Sequence, residues 1–270
     1  MAMEFRIIVC IKPVPDPRYW DRMAMDPVTR TVNRQGIPVV INPLDRCALE
    51  MGLRFREAWG GRVAAVSMAP PEARPVLLEA LAMGADEALL LSDRHFQGSD
   101  TLITSRILGA GVRASGGADF ILTGQRSIDG STGQVGPQLA HFLEMPSIGH
   151  IREITLAGQG LLHVLSGAPE YQVLMEAQAP VLLSVEKEVC TPRFISMMGI
   201  IQAEGRPLRV LSARDLGLEG TSVGLNGSPT RVCDFFMPEI RRRREILRGE
   251  PEEVVRELLQ KLRKTGHPIP

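Results

Sequence analysis

Short β-branched runs alternate with helical patterns through the first half of the chain, and this alternation narrows the fold more than any single motif. Residues 5–11, 63–68, 88–91 and 120–122 read as strands, while residues 43–58, 71–83 and 100–114 carry apolar side chains at helical spacing. Gly84, directly after Met83, is placed to end the second of these helices. Such alternation predicts a parallel sheet covered on both faces, a doubly wound α/β fold. Ligands of these sheets bind outside the carboxyl ends of the strands, so the ends near Cys10, Met68 and Thr123 are expected to converge on one crevice. Before the first helix, Thr29-Arg30-Thr31-Val32 and Ile37-Pro38-Val39-Val40 flank Asn33-Arg34-Gln35-Gly36 and predict a hairpin above those strand ends.

The stretch Thr123-Gly124-Gln125-Arg126-Ser127-Ile128-Asp129-Gly130-Ser131-Thr132-Gly133-Gln134-Val135-Gly136-Pro137 follows the apolar Phe120-Ile121-Leu122 and precedes a helical pattern over residues 137–143. Its glycines let backbone N–H groups approach an anion, and the positive end of the next helix favours that charge, which suits a nucleotide diphosphate. No Walker A lysine follows Gly136, and the glycines lack the G-x-G-x-x-G spacing of the dinucleotide fold after the first strand. Ser115-Gly116-Gly117-Ala118-Asp119 imitates a pyrophosphatase loop but precedes a strand, so it reads as a helix-ending turn. Composition alone leaves the long glycine loop open between a nucleotide site and an ordinary αβ turn.

The second half changes character. Leu161-Leu162-His163-Val164-Leu165 and Tyr171-Gln172-Val173-Leu174-Met175 predict an antiparallel pair around Gly167-Ala168-Pro169, and residues 181–185 a further apolar strand. Residues 187–203 then contain apolar but aperiodic Thr191-Pro192-Arg193-Phe194-Ile195-Ser196-Met197-Met198-Gly199-Ile200-Ile201. That loop either lies on its own sheet or, if exposed, meets a partner. The chain ends in an arm, with a basic run at residues 241–244 and an amphipathic helix over residues 252–264 striped by Val254, Val255, Leu258, Leu259 and Leu262. With 31 basic and 31 acidic residues and no aromatics among the arginines, neither nucleic acid nor membrane insertion is expected. The absence of a signal peptide or spanning segment makes a cytoplasmic location the default expectation. Cys10, Cys47, Cys190 and Cys233 lie far apart without a C-x-x-C pair, which suggests neither zinc nor a disulfide framework.

Several separate segments resemble the β subunit of electron transfer flavoprotein, in order and along nearly the whole chain. They are Val9-Cys10-Ile11-Lys12-Pro13-Val14-Pro15-Asp16, Ile41-Asn42-Pro43-Leu44-Asp45, Ala80-Leu81-Ala82-Met83-Gly84-Ala85-Asp86, the glycine loop, and Pro192-Arg193-Phe194 with its apolar sequel. The resemblance implies a Rossmann-like, adenine-nucleotide-binding domain over residues 1–206, including a partner recognition loop at 187–203. Residues 207–270 would then be an extended arm and helix packing on an α subunit in an obligate heterodimer. It implies no catalytic acid, base or nucleophile, and a reactive FAD held mainly by the α subunit.

In this family the crevice of the β subunit holds AMP as a structural ligand or, in the electron-bifurcating type, a second FAD. Mapped by motif, Cys10, Asn42, Pro43, Leu44, Asp45 and Met68 would border adenine and ribose. Gly124, Gln125, Arg126, Ser127, Ile128, Asp129, Gly130, Ser131, Thr132, Gly133, Gln134 and Val135 would wrap the phosphates. The loop resembles the bifurcating type more closely, because Gly130 replaces an acid of AMP-binding members. Gly98-Ser99-Asp100-Thr101 and the tail through Gly227-Ser228-Pro229-Thr230 also resemble FAD-binding members, which adds Asp100 and Thr101 to the site, although Ser99 and Asp100 double as helix N-caps. FAD is therefore expected over AMP, with NADH as an electron donor. A free-standing ATP-binding α/β protein is the remaining alternative. Leu165-Ser166-Gly167-Ala168-Pro169-Glu170-Tyr171 lacks the arginine that the family hairpin carries, and Gln202-Ala203-Glu204-Gly205-Arg206 replaces its lysine cluster. Docking of acyl-CoA dehydrogenase or another flavoprotein would then rest on Arg193, Phe194, Ile195, Met197, Met198, Ile200 and Ile201.

Overall fold

The computed structural model describes residues 4–22, 24–25, 32–33, 36–168, 170–233 and 244–264. It divides into two compact units, Met1–Val232 and Cys233–Pro270. In chain order the strands are β1 (Arg6–Cys10), β2 (Pro13–Pro15), β3 (Ala24–Met25), β4 (Val32–Asn33), β5 (Val39–Ile41), β6 (Arg62–Met68), β7 (Glu87–Leu91), β8 (Phe120–Gly124), β9 (Ser147–Gly158), β10 (Leu161–Ala168), β11 (Tyr171–Gln178), β12 (Val181–Val185) and β13 (Leu208–Leu211). The helices are α1 (Pro43–Trp59), α2 (Arg74–Met83), α3 (Thr101–Ala114), α4 (Val135–Leu143), α5 (Met197–Ala203), α6 (Gly224–Gly227) and α7 (Pro251–Lys264).

Among the described residues, nine strands form one sheet in the order β11-β10-β9-β12-β8-β1-β6-β7-β13. All pairings are parallel except those of β10 with β9 and β11, so an antiparallel hairpin extends a mostly parallel sheet. Alternate residues of β1 feed opposite faces: Ile7 and Val9 join the α1 and α2 core with Leu49, Phe55 and Leu77, whereas Ile8 and Cys10 join the α3 and α4 core with Ile107 and Leu139. The chain moves outward from β1 through β6 and β7, then returns to place β8 on the other side of β1. This reversal opens a crevice at the carboxyl ends of β1 and β8, as doubly wound topology requires.

The helix ends follow local chemistry. Gly84 leaves α2 at a φ of 128°, and Gly116 and Gly117 leave α3 at 90° and 82°, so Ser115-Gly116-Gly117 is a helix-ending turn. The Asp100 carboxylate caps α3 by accepting from the Ile103 N–H at 3.0 Å.

Several parts differ from the sequence reading, in which the twelve-residue strand Ser147–Gly158 does not appear. Thr29, Arg30 and Thr31 of the expected hairpin lie outside the described residues, while Val32–Asn33 pairs with Ala24–Met25 and Val39–Ile41 pairs with Pro13–Pro15. The latter pairing buries Val14 completely and brings Ile41 and Asn42 beside the end of β1. Leu208–Leu211 adds a parallel strand beside β7, so the first compact unit runs past residue 206 to Val232. Residues 197–203, which the sequence leaves irregular, form α5, capped where Ser196 Oγ accepts from the Gly199 N–H at 3.0 Å. In the second unit, α7 has acids in its first turn and bases in its last, with Val255 and Leu258 exposed. Arg241, Arg242 and Arg243 lie outside the described residues. No described helix is long and apolar enough to cross a membrane.

Candidate nucleotide cleft

The floor of the crevice is organised by two polar side chains at the start of α1. Asn42 is fully buried and Asp45 is 5% exposed, so each requires internal partners. Asp45 Oδ2 accepts from the Lys12 N–H at 2.7 Å, and its Oδ1 accepts from the Gly124 N–H and from Asn42 Nδ2, both at 3.0 Å. Asn42 Nδ2 also donates to the Arg126 carbonyl at 3.0 Å, and its Oδ1 accepts from the Ile128 N–H at 3.1 Å. These bonds fasten the glycine loop and the end of β1 to one helix start. Burial raises the Asp45 carboxyl to about 6 despite the donors from Lys12, Asn42 and Gly124. Burial, with help from the Asp45 charge, pushes the Cys10 thiol up to about 12, so Cys10 is a neutral wall.

Gly124 has a steric reason to be glycine: a Cβ there would overlap the Asp45 carboxylate and lie 2.7 Å from Leu44 Cβ. Gly133 turns at a φ of +65°, where other L-residues are strained. A Cβ at Gly130, by contrast, would have Ser127 Oγ at 3.5 Å and Lys12 Nζ at 3.8 Å as its neighbours, leaving ordinary room. Lys12 Nζ donates to Asp129 Oδ1 at 2.7 Å and to Ser127 Oγ at 3.2 Å. Burial alone would raise the Asp129 carboxyl, but the bonds from Lys12 and Ser127 hold it below the usual range. The acid in the loop is thus ionised and already neutralised, so it does not repel an incoming anion.

The helix starts complete the cleft. α4 begins without a side-chain cap and without an acid in its first turn, so its partial positive charge is uncompensated where Gln134, Val135 and Gly136 line the cleft. α3 is capped by Asp100, and Thr101 Oγ1 donates to Gln134 Oε1 at 2.9 Å, joining the two starts. Asp100 also holds the opposite rim. Its Oδ2 accepts from the Thr230 N–H at 3.0 Å and from Thr230 Oγ1 at 2.7 Å, while its N–H donates to Ser228 Oγ at 2.9 Å. The cleft, open to solvent on one side, has a volume of about 620 Å³.

Of the residues named from the sequence, Cys10, Asp45, Met68, Asp100 and Thr101 line this cleft. So do Gly124, Gln125, Arg126, Ser127, Asp129, Gly130, Thr132, Gly133, Gln134 and Val135. Asn42, Pro43, Leu44, Ile128 and Ser131 do not; Asn42 instead supports the loop from behind, and Ser131 folds back so that its Oγ donates to the Ser127 carbonyl at 3.1 Å. Gln125 reaches out of the loop to β9, where its Oε1 accepts from the His150 N–H at 2.6 Å. Lys12, Thr104, Leu108, Thr230 and Val232 also line the cleft; Lys12 and Thr230 lie in segments that carry the family resemblance but are not named there as site residues, and Thr104, Leu108 and Val232 are not singled out by the sequence. Thr101, Thr104 and Leu108 fall on one helical face, a spacing that could have revealed the last two.

A second candidate surface lies on residues 193–201. Phe194 is 97% exposed and Met197 77%, and Met198, Ile200 and Ile201 are also exposed, whereas Ile195 packs on the core. Arg193 is turned inward. Its Nε donates to Glu50 Oε2 at 2.7 Å, and its Nη1 to Glu57 Oε1 at 2.6 Å, both on α1. Burial would raise the Glu50 carboxyl, but donors from Arg193 and Arg54 outweigh it and hold the group below the ordinary range. Arg193 therefore anchors the apolar residues. The hairpin tip pairs Ala168 with Tyr171, and Pro169 lies outside the described residues.

A family model for the electron transfer flavoprotein domain matches residues 29–216. An electron transfer flavoprotein subunit beta of Thermoanaerobacterium thermosaccharolyticum is 40% identical over 257 residues, covering 95% of this chain and 97% of the relative. The caffeyl-CoA reductase-Etf complex subunit CarD of Acetobacterium woodii is 40% identical over 261 residues, covering 96% and 98% respectively. The acryloyl-CoA reductase electron transfer subunit gamma of Anaerotignum propionicum is 36% identical over 264 residues, covering 95% and 97%. With an α/β sheet whose crevice sits at the strand reversal and relatives aligned almost end to end, the chain belongs to the electron transfer flavoprotein β-subunit family.

Proposed function

We propose that the cleft holds FAD and that this chain, paired with an α subunit carrying a second FAD, passes electrons between NADH or a dehydrogenase and a partner flavoprotein. The observation that carries the nucleotide assignment is the uncapped start of α4 facing a glycine loop whose one acid, Asp129, is neutralised by Lys12. The loop N–H groups and the α4 start would bind the diphosphate, with Arg126 exposed at the rim for its outer oxygens. Cys10 and Met68 would flank the adenine end. FAD is favoured over AMP because Gly130 stands where AMP-binding members carry an acid, and because Asp100 and Thr101, in a segment resembling FAD-binding members, line the same cleft together with Thr230. Bound FAD would supply the hydride and single-electron chemistry, which a flavin pair could split between a strong and a weak acceptor. The chain's own residues bind, orient and set local charge.

The exposed Phe194, Met197, Met198, Ile200 and Ile201 suit docking of a flavoprotein of the acyl-CoA dehydrogenase class, Met being adaptable at such surfaces. The names of the Acetobacterium and Anaerotignum relatives, both tied to reductases of unsaturated acyl-CoA esters, support that class. The arm and α7 would pack on the α subunit. Acid extraction of the co-purified heterodimer and chromatography test the reading: two FAD per pair are expected, and one FAD with one AMP would overturn it. A single chain that is stable alone and binds ATP would favour a free-standing nucleotide-binding protein.

A further inference from the structure

Two cysteines separated by 143 positions meet beneath the apolar surface. Cys47 lies in the early part of α1 and is buried, while Cys190 follows the short 3-10 turn Lys187–Val189 and is partly exposed. Their contacts are crossed. Cys47 Sγ reaches the Cys190 carbonyl at 3.7 Å and the Lys187 carbonyl at 3.8 Å, and Cys190 Sγ reaches the Cys47 carbonyl at 3.6 Å. Reciprocal reach of this kind sets two short side chains side by side between two close backbones, the arrangement a disulfide needs.

We propose that Cys47 and Cys190 are a dithiol site that closes reversibly to a disulfide, tying α1 to the base of residues 193–201, with a low-molecular-weight disulfide as oxidant. The accessible Cys190 gives its proton to solvent and attacks one sulfur of the small disulfide, releasing one small thiolate and forming a mixed disulfide. Cys47 then loses its proton and attacks the Cys190 sulfur, releasing the second small thiolate. The protein surrenders two electrons and two protons, and the small disulfide is reduced to two thiols. Exposure sets this division: Cys190 is the partly exposed sulfur that a small disulfide can reach, whereas Cys47 is buried and meets the reagent only through Cys190.

The site adds to an existing tether. Cys190 is three residues before Arg193, and Cys47 is three residues before Glu50, the buried partner of Arg193. The reduced chain holds its apolar segment by the ion pair and by the packing of Ile195 and Ala203 on the core; oxidation adds a covalent link. The inference stands whatever nucleotide fills the cleft.

The test uses the co-purified heterodimer with Cys233→Ser, because Cys233 is exposed and would react with the same reagent. Oxidised glutathione is added, the protein is alkylated under native pH, and tryptic peptides 47–54 and 188–193 are sought as a linked pair. Expected are the loss of both thiols, the linked pair, its reversal by dithiothreitol, and slower amide exchange over residues 190–201. Cys47→Ser should stop at a glutathione adduct on Cys190, and Cys190→Ser should leave Cys47 unreacted. Oxidation should also slow exchange in Arg193→Ala, substituting for the lost ion pair. Unchanged thiols, or an adduct persisting on Cys190 while Cys47 remains reduced, would overturn the proposal.

Discussion

The nucleotide cleft and the apolar surface are both built on α1, and they handle polarity in opposite ways. At the start of the helix, Asn42 and Asp45 are buried and bonded internally, and they fasten the glycine loop and the end of β1 where both face the cleft. Further along the same helix, Glu50 and Glu57 hold Arg193, whose neighbours Phe194 and Met197 are almost entirely in water. The cleft sets a fastened glycine loop among apolar walls such as Met68, Leu108 and Val232. The surface is an apolar patch on a polar anchor. On the proposed reading, one helix serves two kinds of recognition because the anchoring bonds are made inside the chain, leaving each outer face free to suit its own ligand.

The largest expected effect breaks the anchor of the second region. Arg193→Ala leaves Glu50 buried with only Arg54 as cation and should cost about 3 kcal/mol, most of it from the Glu50 arm, since the exposed Glu57 arm is worth less than about 1 kcal/mol. Thermal unfolding of the heterodimer reads this, and nucleotide content should not change. A parallel loss of nucleotide would show that the two regions are not separable.

Next comes the cleft floor, through pH. Asp45 titrates near 3.8 when unfolded and at about 6 in the fold, so its contribution to stability is full below pH 3.8 and is lost as pH rises to about 6. That loss is on the order of 3 kcal/mol. The stability of wild type relative to Asp45→Asn should fall across this window and be flat above it. The Asp129 and Glu50 carboxyls, held low, act in the other direction and at lower pH. A flat difference would mean that Asp45 is not buried as described.

Gly133→Val should cost about 1–2 kcal/mol through its left-handed backbone, and its larger consequence should be loss of the cleft nucleotide on gel filtration. Met197→Asp stands last in stability, within about 0.5 kcal/mol of wild type. It should keep its flavin yet slow electron delivery at limiting partner concentration. An unchanged rate would remove the apolar surface from the docking reading.

Much of the fold was legible because it rests on local pattern. The strand, glycine loop and helix around residues 120–143 announce themselves through glycine and apolar spacing, as does the hairpin of β10 and β11. β13 was not legible: Leu208–Leu211 is a short edge strand with two exposed side chains, so its pattern resembles a coil until β7 is beside it. Lys12 and Asp129 are 117 positions apart, and no local rule pairs them. Arg193 has the same history, since its partners on α1 are 143 and 136 positions away and its placement in an apolar run suggests an outward role. What the sequence conceals is which charges are spent internally.

Counting flavin on the wild-type heterodimer beside its Gly133→Val form tests the cleft most directly. Two FAD per wild-type pair and one per variant pair are expected, the remaining flavin being that of the α subunit. Equal flavin counts in the two forms, or AMP recovered from the wild type in place of the second FAD, would contradict the assignment.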